Sequence, residues 1–443
     1  MLDGPPRQNR TLFVLLLLIP CLMTIAYGGT ETWTLIFLSP LIALLGMIWI
    51  VRSWRQAAFP VNFDSLLFPL LGLLLLAFIQ LLPLGNSGVP PDALTIPASN
   101  ALSMDAYSTR LFLVRLVGYI VFFAAALTFI DTENRVRKLV TAIAIFGGSM
   151  AFLGIIQKLA SPDAIYGIRP TPQAIPFGPF VNQHHFASLM VLLSGMTLAH
   201  IFANAATTQK KILLSISALI MAIAVVLTGS RGGLISYLAT LGIAGLAIIW
   251  RVRESSEKRP WLPAVVGAIA ILITVVGAVI FLGGAESLLR GVGFQNTSDD
   301  VSSGRLHFWS VAVKIFMANP IFGAGFDAFG VAFTKFDTRN GLLRVEQAHN
   351  DYLQTLADGG VLGFACVVGF IVLFVRKCLA GISNSVDAFG RVTIIGALAG
   401  CVGIMVHSFF DFPLRTAANA FFFLLTAAIA VVQVSKKNLS DAN

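Results

Sequence analysis

Apolar segments long enough to cross a bilayer recur along most of this chain and limit what it can fold into. Each runs for about 17–25 residues, the length that a helix needs to span the hydrocarbon core. Because lipid offers the backbone no hydrogen-bond partners, such segments fold as helices. The segments lie near residues 11–27, 33–51, 65–84, 109–130, 139–160, 183–204, 212–229, 232–250, 261–282, 359–377, 391–409 and 417–434. The sequence therefore predicts an all-α polytopic membrane protein with about twelve transmembrane helices.

Positive residues are distributed unevenly, and their distribution predicts how the chain is oriented. By the positive-inside rule, connections rich in lysine and arginine face the cytoplasm, and here this places both termini there. The same rule accounts for the net charge of +9, so we expect no nucleic-acid partner. Eighteen of the 30 lysines and arginines lie in alternate connections: Arg7, Arg10, Arg52, Arg55, Arg135, Arg137, Lys138, Lys210, Lys211, Arg251, Arg253, Lys258, Arg259, Arg376, Lys377, Arg391, Lys436 and Lys437.

The rest of the composition argues against several kinds of site. The four cysteines lie in or beside apolar segments without Cys-x-x-Cys spacing, so neither a disulfide framework nor a zinc site is expected. Adjacent His184 and His185 cannot share one helix face, so we expect no metal. No nucleotide-binding loop motif is present, so we expect no cofactor. The first apolar segment lacks a small-residue cleavage site, and we expect it to remain as a helix.

The longest connection, residues 283–358, is predicted to lie on the periplasmic side, between the ninth and tenth helices of one membrane domain covering residues 1–443. Within it, residues 305–318 have the pattern of an amphipathic helix. Asn319 would end that helix, because a residue before proline disfavours helical backbone. Structured loops between rigid elements often carry function, so the site is expected here. Tight turns are predicted to follow at Gly323, Gly325 and Gly330.

His349, Asn350 and Asp351 form a polar cluster at the edge of a predicted membrane helix. Ionisable residues at such a place are costly and are functional candidates. A histidine can accept a proton near neutral pH, so His349 is the candidate general base. Asp351 could orient the imidazole ring if the backbone is irregular there. Alternatively, Asn350 or Asp351 only caps the helix that follows.

Arg231 and Arg305 are candidates for binding an anion. Arg231 lies in a glycine-rich turn on the side where the positive-inside rule predicts few cations, and its planar guanidinium suits phosphate. Arg305 would begin the amphipathic helix, where a helix N-terminus adds to its charge. The alternatives are an arginine extended to the lipid headgroups and a solvated charge on a polar helix face.

Two further polar groups are expected to support the site. His407 and Asp411 are four residues apart, so a helix would place them on one face, and we favour a structural pair there. Asn182 and His184 stand at the start of the sixth helix, where contact with a substrate and a simple polar helix start are both open.

The ordered set of motifs resembles the O-antigen ligase and polymerase superfamily over roughly residues 180–415. The matching motifs are Gly229-Ser230-Arg231-Gly232-Gly233, Gly304-Arg305-Leu306 to Trp309, Phe322-Gly323-Ala324-Gly325-Phe326, His349-Asn350-Asp351-Tyr352-Leu353 and His407-Ser408 with Asp411. This resemblance implies an enzyme of the bacterial inner membrane that acts on the periplasmic face without metal or cofactor. It also implies an inverting transfer of a glycan from undecaprenyl diphosphate to an acceptor hydroxyl.

Within that resemblance His349 would be the base, and Arg231 and Arg305 would bind the diphosphate. The acceptor distinguishes the members: lipid A–core for a ligase, a growing lipid-linked glycan for a polymerase, and serine or threonine for a protein O-oligosaccharyltransferase. We narrowly favour the ligase. A flippase or other transporter of lipid-linked sugars is the rival from another class, but transporters place their polar residues near the middle of the membrane.

Overall fold

The computed structural model describes residues 10–85, 100–172, 174–203, 207–254, 304–338, 345–384 and 387–440. These residues are mostly helical, as the apolar segments predict. Their α-helices are α1 (Arg10–Ile25), α2 (Thr34–Arg55), α3 (Leu67–Gln80), α4 (Ala106–Phe129), α5 (Glu133–Ala160), α6 (Gln183–Phe202), α7 (Thr208–Leu227), α8 (Arg231–Ala244), α9 (Leu246–Glu254), α10 (Arg305–Ala318), α11 (Phe329–Phe336), α12 (Asp351–Asn384), α13 (Ala388–His407) and α14 (Ala417–Ser440). Short 3-10 helices cover Tyr27–Gly29 and Pro413–Arg415, and β1 (Ala164–Ile165) pairs antiparallel with β2 (Arg169–Pro170).

Among the described residues, eight helical segments are long and apolar enough to cross a membrane. Three shorter apolar helices, α1, α3 and the first part of α14, accompany them. The eight long segments and the three shorter helices together coincide with eleven of the twelve predicted segments. The segment at 261–282 lies outside the described residues, so the total of twelve stays a prediction. The prediction of a helical membrane protein is confirmed.

Side-chain caps determine where several helices begin. An oxygen acceptor at a helix start satisfies a backbone N–H and contributes about 1 kcal/mol. Because Asn182 and Ser230 start α6 and α8 at the same end of the bundle, these caps also position the polar residues beside them. The capping residues, each bonded to a backbone N–H of the following first turn, are Asp105, Thr132, Asn182, Ser230, Asn350 and Asp387.

The core lies around α6 and α13, which are buried along nearly their whole length. Their backbones touch where glycines leave room. A Cβ on Gly400 of α13 would overlap the carbonyl oxygen of Leu192, and one on Gly195 of α6 would overlap the backbone nitrogen of Gly400. Small residues at helix crossings allow this close approach within membranes.

Replacing Gly400 with valine is expected to destabilise the fold, because overpacking costs about 1–3 kcal/mol or more. The midpoint of thermal unfolding in detergent should fall. The matched control is Gly46→Val on α2, where an added Cβ meets no atom within 4 Å. Equal unfolding temperatures for the two variants would contradict the packing described for α6 and α13.

The eighth predicted segment, 232–250, coincides with one apolar span, Arg231–Trp250, within which Gly245 separates α8 from α9. One predicted helix boundary was wrong. The tenth was predicted over 359–377, but α12 already begins at Asp351 and is kinked at Gly360, whose backbone is left-handed (φ 61°). Residues 351–358 are therefore helical, and the loop predicted over residues 283–358 ends before Asp351.

The described part of that loop contains the predicted amphipathic helix, and α10 matches residues 305–318, ending before Pro320 as expected. Gly323 and Gly325 have positive φ (73° and 114°) and form turns, as predicted. The turn predicted at Gly330 was wrong, because that residue lies inside α11.

Candidate functional site

Two helices, α6 and α8, begin beside each other at one end of the bundle. The imidazole Nδ1 of His184, in the first turn of α6, lies 2.8 Å from the hydroxyl of Ser230, which caps α8. The neighbouring His185 ring packs edge-on against Phe412, with ring centroids 4.6 Å apart. Phe412 in turn contacts the ring of His349, with centroids 4.9 Å apart. The starts of α6 and α8 therefore adjoin the segment that precedes α12.

Helix α10 begins at the same place. Phe308 in its first turn stacks on His349, with ring centroids 6.0 Å apart and an angle of 29° between the rings. Arg305, its first residue, lies close enough to His184 for its charge to act on that ring. With α12, four helix N-termini therefore converge here. Each carries a partial positive charge, so the place suits an anion.

His349 is held by Asp411, which is 62 positions away in the sequence. The imidazole Nδ1 lies 3.0 Å from Asp411 Oδ1. The His349 side chain is 30% exposed and the Asp411 side chain only 1%, so a buried carboxylate bonds a partly exposed imidazole ring. No described residue bonds Nε2 of His349. The hydrogen bond at Nδ1 therefore orients the imidazole ring, while Nε2 has no partner among the described residues.

The Asp411 carboxylate remains ionised at neutral pH. Burial alone would raise its pKa, but the hydrogen bond to His349 and the neighbouring histidines lower the pKa well below its usual range. An ionised carboxylate only accepts hydrogen bonds, so Nδ1 of His349 carries the proton. In the neutral imidazole the lone pair is then on Nε2, where it can accept a proton from a bound hydroxyl.

The backbone at His349 adopts a left-handed conformation (φ 52°), which is uncommon for a residue with a Cβ. Neighbouring hydrogen bonds stabilise it. Asn350 accepts from the backbone N–H groups of Tyr352 and Leu353 and donates to the Phe409 carbonyl, 3.2 Å away. Asn350 therefore caps α12, as one of the sequence alternatives predicted, and anchors this turn to the segment after α13.

Arg231 is the first residue of α8 and is half-buried. The backbone on both sides of it packs tightly: Gly229 has φ 64°, and a Cβ on Gly232 would contact Phe410 and His407. Arg231 therefore follows the Ser230 that bonds His184, while Arg305 acts on His184 from α10. The two arginines lie on elements that meet around the same histidine.

The side chains of His407 and Asp411 are not hydrogen-bonded to each other, although the backbone N–H of Asp411 donates to the His407 carbonyl 3.0 Å away. Helix α13 ends at His407, and Asp411 lies in the following turn, where its carboxylate bonds His349 instead. His407 is buried, and its Nδ1 has no partner among the described residues. Asp351 does not orient the imidazole either, because its Oδ2 accepts from the hydroxyl of Ser408, 3.0 Å away.

Arg415, which the sequence did not indicate, is the centre of an ion-pair network beside this site. Its guanidinium binds Asp327 and, at 2.7 Å, Asp358, and its Nε lies 3.9 Å from Asp351. Arg115 of α4 also binds Asp327. Charged residues within apolar segments, such as Asp358, are costly unless paired, and this cost could have indicated the network from the sequence. The network ties the start of α12 to the loop that follows α10.

These features define an integral membrane protein with a partly open, cationic site where helices begin, a site that suits an anionic ligand and proton transfer. Residues 216–368 match the model of the O-antigen ligase family, and the predicted resemblance to that superfamily is confirmed. The match includes Arg231, Arg305 and His349, while Asp411 lies beyond it. No curated protein matches the chain. Within the described residues, no group of His, Cys, Asp and Glu is arranged to hold a metal.

Proposed function

We propose that this protein is a glycosyltransferase of the bacterial inner membrane, with both termini in the cytoplasm and its site facing the periplasm. It would transfer a glycan from undecaprenyl diphosphate to an acceptor hydroxyl. The observation that carries the proposal is the His349–Asp411 pair, whose Nε2 is bonded by none of the described residues, at the convergence of four helix N-termini. The O-antigen ligase domain supports the same chemistry.

The transfer requires a base for the acceptor and positive charge for the leaving group. The acceptor hydroxyl would give its proton to Nε2 of His349 while its oxygen attacks the anomeric carbon. The bond from that carbon to the diphosphate oxygen breaks, and its electron pair remains on the diphosphate. Arg231 and Arg305 would bind the charge that develops there, which lowers the barrier. A single displacement of this kind inverts the anomeric centre.

The acceptor separates the ligase, which we favour, from the polymerase. The test is an envelope glycan profile of a deletion strain complemented with the wild-type gene or with His349→Ala. A ligase predicts loss of all polymer from lipid A–core while polymer of normal length remains on undecaprenyl diphosphate. Single repeat units still reaching lipid A–core would instead indicate a polymerase. Full complementation by His349→Ala would contradict the catalytic proposal.

Replacing Asp411 with asparagine is expected to slow transfer about tenfold to a hundredfold, because a hydrogen bond to a charged group contributes about 1.5–3 kcal/mol. The amide oxygen can still accept from His349, but its missing charge no longer stabilises the imidazolium formed in the transition state. The acceptor KM should change little. The measurement is the rate with purified protein and a lipid-linked donor, and an unchanged kcat would contradict the role.

A transporter of lipid-linked sugars remains the second candidate because of one observation. Helix α12 is interrupted at Gly360 beside the buried carboxylate of Asp358, as transporter helices often are around their substrate. In proteoliposomes, a transporter would move a fluorescent lipid-linked sugar between leaflets. The enzyme would instead release undecaprenyl diphosphate only when an acceptor is present.

A further inference from the structure

A cavity of about 100 Å³ lies at the end of the bundle opposite the candidate site, between α5, α6, α7 and α13. Helix α6 connects the two places, because His184 in its first turn belongs to the site and His200 in its last turn lines the cavity. At 1.5 Å per residue the two histidines are about 24 Å apart along the helix. The proposed transfer chemistry therefore does not reach this cavity. Its polar lining residues are Arg137, Thr141, His200, Thr207 and Lys210.

The cavity opens at the end of the bundle and is closed towards the interior. Two of its lining residues are buried rings, Phe389 and His200, whose centroids are 5.3 Å apart. Farther along the bundle α5 and α7 touch, since a Cβ on Gly148 would lie 2.9 Å from the hydroxyl of Ser217. Lys210, by contrast, is exposed at the mouth of the cavity. A ligand can therefore enter from the end of the bundle and cannot pass through it.

The charge lining this cavity is positive. Among the described residues Arg137 and Lys210 line it, and no carboxylate does. None of those residues pairs with the ammonium of Lys210. Arg137 bonds Glu133 one turn earlier in α5, but the two side chains are 41% and 48% exposed, and exposed pairs of this kind contribute little. Asp387 caps α13 and does not line the cavity. Both cations are thus available to an anion that enters.

The geometry of these groups suits a phosphate. The guanidinium carbon of Arg137 lies 3.7 Å from the centroid of the Phe389 ring, and a stacked guanidinium keeps the N–H groups at its edge for acceptors. Helix α7 begins at the cavity, and its N-cap residue, Thr207, forms no side-chain capping bond. An anion can therefore also accept from the first turn of α7, as phosphates do at helix N-termini.

The apolar side of the cavity continues onto the lipid-facing surface of the bundle. Val140 of α5 and Leu213 of α7 line it. Beside them Ile212 and Ile216, one turn apart on α7, are 58% and 51% exposed, so they form an apolar strip that begins at the cavity. A hydrocarbon chain joined to a phosphate in the cavity could lie along this strip. Basic pockets between transmembrane helices commonly bind the head groups of anionic lipids.

We propose that this cavity binds the phosphate group of an anionic phospholipid, with Arg137 and Lys210 as its ligands and the acyl chains along α7. The site is separate from the candidate active site, and the inference does not depend on the proposed function. In the orientation proposed above, the lipid belongs to the cytoplasmic leaflet. Because the lipid contacts α5, α7 and α13 around the end of α6, its binding stabilises the folded protein.

The experiment measures the midpoint of thermal unfolding of the full chain in dodecyl maltoside as dioleoyl phosphatidylglycerol is added. A ligand that binds only the folded state raises the midpoint until the site is saturated. Dioleoyl phosphatidylcholine, whose head group has no net charge, serves as the neutral lipid. Phosphatidylglycerol should raise the midpoint with saturation, and phosphatidylcholine should have little effect. A midpoint that phosphatidylglycerol raises no more than phosphatidylcholine would overturn the proposal.

Two pairs of variants test the named ligands. Lys210→Gln and Arg137→Gln should each raise the dissociation constant for phosphatidylglycerol about tenfold, because a hydrogen bond to a charged group is lost. Lys211→Gln and Lys138→Gln remove the same charge from adjacent residues that do not line the cavity, and they should bind like the wild type. Equal effects of all four substitutions would overturn the proposal, since general positive charge would then explain the binding.

Inorganic phosphate distinguishes a lipid from a water-soluble ligand of the same chemistry. Added in excess at constant ionic strength, it should not reverse the rise in midpoint caused by phosphatidylglycerol. If it does, the cavity binds a water-soluble phosphate and the lipid assignment is overturned. His349→Ala should respond to phosphatidylglycerol like the wild type, so the outcome is independent of the catalytic proposal.

Discussion

Replacing His349 with alanine is expected to lower the rate of glycan transfer by a factor of about 10²–10⁴, the usual contribution of a positioned general base. Nε2 of His349 has no bond from a described residue, and Asp411 holds the opposite nitrogen at 3.0 Å. Alanine removes the proton acceptor and leaves the arginines in place. Donor binding should therefore persist while kcat falls. The measurement is transfer by purified protein from a lipid-linked donor.

The control for this prediction is His349→Asn. Asparagine tolerates left-handed backbone better than most residues, so it should keep the turn at φ 52° and the start of α12. Its amide cannot act as a base at neutral pH. Both variants should therefore be inactive, and the asparagine variant should unfold at the wild-type temperature. If either substitution leaves transfer at the wild-type rate, His349 is not the base.

Local features of the structure follow directly from the sequence. Apolar length predicts the helices, and an oxygen side chain before an apolar segment predicts its start, as at Asn350 before α12. The amphipathic helix at 305–318 is also local, because its pattern and the proline after it are adjacent in the chain. These features depend on neighbouring residues only, so no knowledge of the fold is needed.

Pairings across the fold could not be predicted in this way. The sequence paired Asp411 with His407, four positions away, whereas the structure pairs it with His349. The expectation assumed that the helix continues, but α13 ends at His407, which releases Asp411 to face another element. Helix ends are the least certain part of a sequence interpretation, and this site is built from them.

The network around Arg415 shows the same limit. Asp327, Asp358 and Arg415 lie in three separate elements, and only the fold brings them together. From the sequence, each of these charged residues indicates only that burying it in apolar surroundings costs free energy. Which charge neutralises which is a property of the fold.

Replacing Arg231 or Arg305 with glutamine is expected to reduce transfer by about 10²–10³ each, the usual loss when one donor to a developing negative charge is removed. Both residues begin helices that meet around His184, so each guanidinium would add to a helix N-terminus. The lysine variants should fall between wild type and glutamine, because lysine keeps the charge but lacks the planar fork.

A competition experiment distinguishes the role of these two arginines from the role of His349. Geranyl diphosphate should inhibit the wild-type enzyme by occupying the diphosphate site, and it should bind His349→Ala equally well. Arg231→Gln and Arg305→Gln should each weaken its binding, since the shared ligand loses one of its two cations. Lys314, exposed on α10, provides the matched control: Lys314→Gln removes one positive charge from the same helix without affecting inhibition. If Arg231→Gln and Lys314→Gln bind geranyl diphosphate equally well, Arg231 does not hold the leaving group, and the two roles must be reassigned around His184.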